Sequence, residues 1–342
     1  GVQTCALPIY TLVPHTKPFR YREGDLTVTR GSAWSGPGCH IGCGVLLYTD
    51  KNGKLVKVEG DPENPYSDGR LCVRCLGVPE VTNHKDRLLY PMKRDPKDRG
   101  KNKWERISWE EAYDLITEKF NKIKAEHGAE SIFFAQGTGR DIAPYITRLA
   151  WSFGSPNYTI LLSGMACYAP RIAGCMATTG AFWVADCSQQ FADRYDNPEF
   201  KVPETMFIWG NYPLTSNSDG FFGHWVVDLM KRGMKIVMID PKVTWLSARA
   251  EEHLRVRPGT DAALALGMLN VIINEELYDK EFVENWCYGF EQLKERVQEY
   301  PVDKVSRITW VPEEKIRRAA HILAQSKPST MQWGVAVDMT KE

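Results

Sequence analysis

The chain has 342 residues, 43% hydrophobic and 25% charged, and its 43 basic and 43 acidic side chains cancel. This is a globular composition, long enough for two or more domains, and its neutral balance offers nothing to nucleic acid or an anionic membrane. No run of about eighteen apolar residues occurs, so no bilayer-spanning helix is written in it.

Nine cysteines are an odd number in a chain too large to need stapling. That argues against a disulfide framework and leaves metal ligands, catalytic thiols and core residues. The opening stretch GVQTCALPI, residues 1–9, back-translates into a run of sequencing-adapter bases and is set aside as an assembly scar, Cys5 included. On that reading the natural start is missing, and an export leader can be argued neither present nor absent.

Residues 10–103 read as a small β-rich lobe, dense in Gly, Pro, Asp and Lys from residue 30 onward. Within it, GVLLYTD-KNG-KLVKVEG predicts two short strands joined at Asn52-Gly53, a strong hairpin signal. Cysteine pairs flank this hairpin: Cys39-x3-Cys43 before it and Cys72-x2-Cys75 after it, 28 residues apart. Four soft sulfur donors select zinc or an iron–sulfur cluster over hard cations. The three-residue gap and the surrounding Gly38, Gly42 and Gly44 favour the bulkier cluster, whose sulfides accept N–H bonds from glycine-rich turns; structural zinc and plain core cysteines stay open.

Ser108 with Glu111 predicts a capping box, and Ala112, Leu115, Ile116, Phe120 and Ile123 continue a helix that Gly128 closes. Thereafter strands and helices alternate. Strands are expected at 131–136, at YTILLS, at 204–210 and at 234–240; helices at IAPYITRLAWSFG, 220–232, 261–276 and 313–325. Such units predict an α/β fold with Rossmann-like parallel regions, here divided as 104–163 and 164–330, with 331–342 opening a continuation.

The motifs resemble a family. C-x3-C, a spacer, then GRLC-x-R is similar to the N-terminal cluster lobe of the molybdenum and tungsten bis-pterin enzymes, the dimethyl sulfoxide reductase superfamily. The likeness continues through HKDRLLYPMKR, WERISWEEA, GSPNYT, VMIDPK and RPGTDAALALGMLNVIINEELYDKEFVENW. It is strongest toward the acetylene hydratase, catechol dehydroxylase and pyrogallol transhydroxylase branch.

Several expectations follow from that resemblance. Cys39, Cys43 and Cys72 match three cluster ligands; the family's first cysteine is replaced by Gly36, and Cys75 or His40 is left to complete a [4Fe–4S] set. Arg74 falls where the family carries a cation between cluster and pterin. Cys167, in GMACYAPRIAGC, matches the protein ligand of Mo or W, followed by Tyr168 and Arg171. Arg171 could bind an anionic substrate group or pair structurally.

His40 occupies a slot that holds a catalytic aspartate in the hydratase branch. A histidine there exchanges protons near neutral pH but does not reproduce a protonated carboxylic acid. Gly210, Asn211, Asp240, Arg257 and Asp261 would hold the guanosine diphosphate arm of a bis-molybdopterin guanine dinucleotide cofactor at the carboxyl edge of the sheet.

The implied activity is reductive dehydroxylation, or hydroxyl or oxygen-atom transfer, on a small organic and phenolic substrate, with electrons from a donor or an electron-transfer subunit. Two other classes are retained: a non-redox hydratase, and an iron–sulfur electron-transfer module.

Overall fold

The computed structural model describes residues 15–33, 42–65, 67–137, 143–160, 169–181, 195, 197–215 and 222–339. The chain divides into two units, Gly1–Phe134 with Asp141–Tyr158, and Ala135–Arg140 with Thr159–Glu342.

The first unit begins with an antiparallel sheet of β1 (Arg20–Glu23), β2 (Leu26–Ala33), β3 (Cys43–Thr49) and β4 (Leu55–Gly60) in sequential order. The expected hairpin is β3–β4, with a turn one residue longer than a two-residue Asn-Gly turn, closed by the Asp50 N–H donating to the Lys54 carbonyl at 3.0 Å. The Asp50 carbonyl accepts the Gly53 N–H at 3.0 Å, and the Asp50 carboxylate accepts the N–H groups of Asn52 and Lys54 at 2.8 and 2.9 Å. Gly53 takes the left-handed conformation at φ 79°, a backbone region in which a Cβ is costly. Val28, Leu46 and Tyr48 are buried on one side of the sheet, with Tyr21 and Leu26 against them.

Two short helices follow, α1 (Val73–Leu76) and α2 (Val78–Thr82), then a two-stranded ribbon of β5 (Met92–Lys93) and β6 (Glu105–Arg106). Helix α3 (Trp109–His127) starts as predicted: the Ser108 hydroxyl accepts the Glu111 N–H at 3.0 Å, satisfying one orphan donor of the first turn. The reciprocal half of the box is not made, because the Glu111 carboxylate takes Lys93 Nζ at 2.5 Å.

Gly128 ends α3 at φ 84°, and Ala129–Ser131 then closes a 3-10 turn. This turn delays strand β7 to Phe134–Gln136, later than the 131–136 expected. Helix α4 (Ala143–Phe153) and strand β8 (Tyr158–Ile160) complete this stretch, and Phe120, Ile123, Ile132, Phe134, Ala150 and Phe153 form its apolar cluster.

The second unit contains α5 (Ala169–Thr179), β9 (Thr205–Trp209), α6 (Phe222–Lys231), β10 (Lys235–Ile239) and β11 (Glu252–Leu254). Five helices follow: α7 (Asp261–Asn274), α8 (Lys280–Trp286), α9 (Phe290–Val297), α10 (Val302–Thr309) and α11 (Glu313–Gln325). Strand β12 (Ser329–Trp333) and helix α12 (Val335–Met339) end the described chain.

The four strands make one parallel sheet in the order β11-β10-β9-β12. Strand β12 therefore spans the boundary expected at 330/331. TMFIW and KIVMI are apolar at nearly every position because both faces of the sheet are covered. Met206, Ile208, Ile236 and Met238 pack with Val226 and Leu229 of α6; Phe207, Trp209, Val237 and Ile239 pack with Leu264, Met268, Val305 and Ile316 of α7, α10 and α11. Burying each such side chain contributes about 1.5–3 kcal/mol relative to exposure, and the double layer holds the strand ends in fixed register.

Candidate functional site

In the first unit three cysteines are described, one opening β3 and two at α1, the helix after β4. Cys43 opens β3 and is buried, and the loop after β4 coils back onto its neighbour Gly44. The Asp61 N–H donates to the Gly44 carbonyl at 3.0 Å, the Gly44 N–H to the Ser67 hydroxyl at 3.2 Å, and the Gly69 N–H to the Asp61 carbonyl at 3.0 Å. Gly60 is required for this approach: a Cβ there would lie 2.0 Å from the Gly69 carbonyl oxygen. Cys72 follows at the N-cap of α1, half-buried, and Cys75 on α1 is 1% exposed; Arg74, between them, is half-buried.

The loop is anchored by Arg30 of β2, a buried side chain that donates to Asp61 at 2.6 Å and to Glu63. Burial opposes the guanidinium charge, but Asp61 and Glu63 outweigh it and raise the Arg30 pKa above its ordinary value. Glu63 is held down to about 2, first by the Thr16 hydroxyl and then by the Thr16 N–H and Arg30.

Among the described residues no group of three or more His, Cys, Asp or Glu side chains is arranged to hold a metal ion. Cys39 and His40 lie outside the described residues, as do Cys167 and Tyr168. In donor chemistry the described part fits an iron–sulfur centre: soft sulfurs on β3 and on a helix packed against β4, reached through glycine turns.

In the second unit the predicted nucleotide residues meet at the carboxyl edge of the parallel sheet. Gly210 directly follows β9 at φ 57° and donates its N–H to the Ile239 carbonyl at 2.8 Å; Asn211 beside it is half-buried. On the other side of β9, Gly334 donates to the Trp209 carbonyl at 2.8 Å, and a Cβ on Gly334 would lie 2.1 Å from the Gly210 oxygen. Asp240, buried at the end of β10, accepts the Lys242 N–H at 2.8 Å.

Asp261 begins α7 and accepts the Trp209 indole N–H at 2.6 Å. Arg257 is exposed, with its guanidinium 5.0 Å over the Trp310 ring. Two carboxylates, an exposed cation and a helix N-terminus thus lie at one sheet edge, the place where open α/β sheets bind ligands.

Arg171 lies in the first turn of α5 and is engaged by protein groups. Its Nη2 donates to Asp338 Oδ2 at 2.5 Å and to the Trp333 carbonyl at 3.3 Å, and its Nε to Asp338 Oδ2 at 3.1 Å. Of the two roles open to it, the described geometry is that of a structural pair. Trp209, Trp333, Gly334 and Asp338 were missed in the sequence reading, although a signal existed: ETMFIWG and STMQWG both end in Trp-Gly, and Trp209 and Trp333 are register partners.

Residues 37–84 match the molybdopterin oxidoreductase Fe4S4 domain and residues 87–336 match molybdopterin oxidoreductase. The chain is 40% identical over 313 residues to acetylene hydratase of Syntrophotalea acetylenica, covering 89% of this chain and 40% of that protein. It is 33% identical over 245 residues to dopamine dehydroxylase of Eggerthella lenta, covering 71% of this chain and 23% of that one. Its fold is similar to the structure of acetylene hydratase from Pelobacter acetylenicus, with a TM-score of 0.73 and 36% identity over 90% of this chain and 40% of the other.

The chain thus spans well under half the length of these relatives. The two matched domains imply a [4Fe–4S] cluster and a molybdenum or tungsten pterin cofactor. The chain belongs to the molybdopterin oxidoreductase family and carries that family's iron–sulfur domain.

Proposed function

We propose that this chain is the cluster-bearing and nucleotide-binding portion of a bis-molybdopterin guanine dinucleotide enzyme that reductively removes a hydroxyl group from a small organic substrate of phenolic type. The observation that carries the nucleotide part is the carboxyl edge of β9, β10 and β12. Gly210 and Gly334 let the ends of β9 and β12 close on each other there, Arg257 supplies a cation for phosphate, and Asp240 and Asp261 supply acceptors for the ribose or guanine edge. On this reading Cys39, Cys43, Cys72 and Cys75 ligate the cluster, Arg74 stands between cluster and pterin, and Cys167 ligates Mo or W.

When bound, the metal centre supplies two-electron redox chemistry. The reaction breaks the C–OH bond, consumes two electrons from a donor and two protons, and releases the C–H product and water. His40 and Tyr168 would deliver the protons, the imidazole near neutral pH and the phenol as a hydrogen-bond donor to the departing oxygen. Resemblance to dopamine dehydroxylase, and histidine in the place of the hydratase aspartate, support this reading.

A second reading, addition of water without net electron flow, is favoured by 40% identity to acetylene hydratase. The test is a turnover assay of the full-length enzyme on catechols and on acetylene with a reduced dye as donor. One dye equivalent of two electrons consumed per product supports dehydroxylation; product formed without reductant overturns it. An iron–sulfur electron carrier would contain neither Mo nor W by elemental analysis.

A further inference from the structure

Arg171 stands third in α5, four residues after Cys167 in sequence, and its surroundings differ from those of a substrate-anion receptor. Two of its nitrogens engage one carboxylate, and Asp338 is itself 6% exposed at its side chain, against 23% for Arg171. Asp338 also accepts the Trp333 indole N–H at 3.0 Å, and the guanidinium plane lies 4.6 Å from the centre of the Trp333 ring. Arginine forks of this kind fix direction as well as distance, which a lysine cannot do.

The partners of Arg171 are the end of β12 and the helix after it. Trp333 is the register partner of Trp209, and Gly334 touches Gly210 closely enough to exclude a Cβ. The same short stretch of chain thus holds the entry to α5 on one side and the candidate nucleotide edge on the other.

We propose that Arg171 is a positioning residue: with Asp338 and Trp333 it clamps the N-terminal end of α5 to the carboxyl edge of β12. It thereby fixes the start of the helix that follows Cys167 in sequence. This rests on the functional reading above, in which Cys167 is the protein ligand of Mo or W. A substrate receptor would act alone through its charge, whereas a clamp acts only as a pair. The two partners must therefore be interchangeable targets of mutation.

The test uses the full-length enzyme as wild type and as Arg171→Ala, Arg171→Lys, Asp338→Asn and the Arg171→Ala/Asp338→Asn double variant. Each is measured for Mo or W and pterin content, for the EPR signature of the metal, and for kcat and KM. A misplacement of about 1 Å lowers turnover by about a hundredfold. Arg171→Ala and Asp338→Asn are therefore expected to lower kcat at least about tenfold, with KM changed less than about twofold, and to shift the EPR signal alike.

The double variant is expected to be no worse than either single one, and Arg171→Lys, which keeps the charge and folds with one contact, to fall between. A rise in KM confined to Arg171→Ala, additive losses, or an unchanged EPR signal in both single variants overturns the clamp alone. Wild-type protein without Mo or W overturns the functional reading and the clamp with it.

Discussion

The Trp209 indole N–H donates to the Asp261 carboxylate at 2.6 Å, tying the last residue of β9 to the first residue of α7. Trp209 is 6% exposed, so its N–H has no ready replacement from solvent. Trp209→Phe keeps the apolar bulk and removes the donor. It is expected to destabilise the protein by about 1–3 kcal/mol, read as a shift in the urea midpoint. Asp261→Asn retains an acceptor oxygen and should cost less while weakening cofactor retention, read by pterin release on gel filtration.

Gly60 allows the loop carrying Cys72 to close onto the sheet, with no room for a methyl group against the Gly69 backbone. A backbone oxygen cannot swing aside as a side-chain end does. Gly60→Ala should cost about 1–3 kcal/mol of overpacking and displace residues 61–72. The expected result is iron and acid-labile sulfide content well below wild type, while the second unit's circular dichroism is retained.

Cys75 is 1% exposed on α1, and its proposed role is the cluster position vacated where Gly36 stands. Cys75→Ser changes little in volume but replaces a soft donor with a hard one. Iron content is expected to fall by at least about half, with an altered EPR line shape. Wild-type iron in the variant would return Cys75 to a packing role.

Glu63 gives the first unit a pH dependence. Its carboxyl titrates near 2 in the fold against 4.5 as an ordinary glutamate, first because of Thr16 and then Arg30. A depressed folded-state pKa contributes stability that is present above the unfolded value and lost as pH falls through the folded one. Stability should therefore decline from about pH 4.5 toward about 2. Glu63→Gln is expected to flatten that part of the curve in denaturation measured across the range.

Much of this architecture was legible where local chemistry decides the structure. Ser108 and Gly128 bracket α3 as expected, and Asp50 to Lys54 turns the β3–β4 hairpin. The strands TMFIW and KIVMI announce a sheet buried on both faces. Asp261 was recognised at a helix start, but its bond to Trp209 crosses 52 positions and no local pattern encodes it.

Strand β1 went unnoticed because RYRE is polar and mostly exposed, so no alternation marks it, whereas LTVT at the start of β2 does alternate and was passed over. The Lys93 contact that draws Glu111 out of its capping box is likewise a tertiary event. Arg171 could be read either way until Asp338, 167 positions on, supplied its partner.

The order of strands in the parallel sheet has a consequence for synthesis. Strand β9 borders β10, made soon after it, and β12, which begins at Ser329. While the polypeptide emerges from the ribosome, β9 offers a bare row of amides and carbonyls along one side until more than a hundred further residues have been translated. Exposed edges of this kind pair with other chains. A nascent chain halted before Ser329 therefore carries an open, strongly apolar strand, and it is at that stage of production that help from a chaperone counts most.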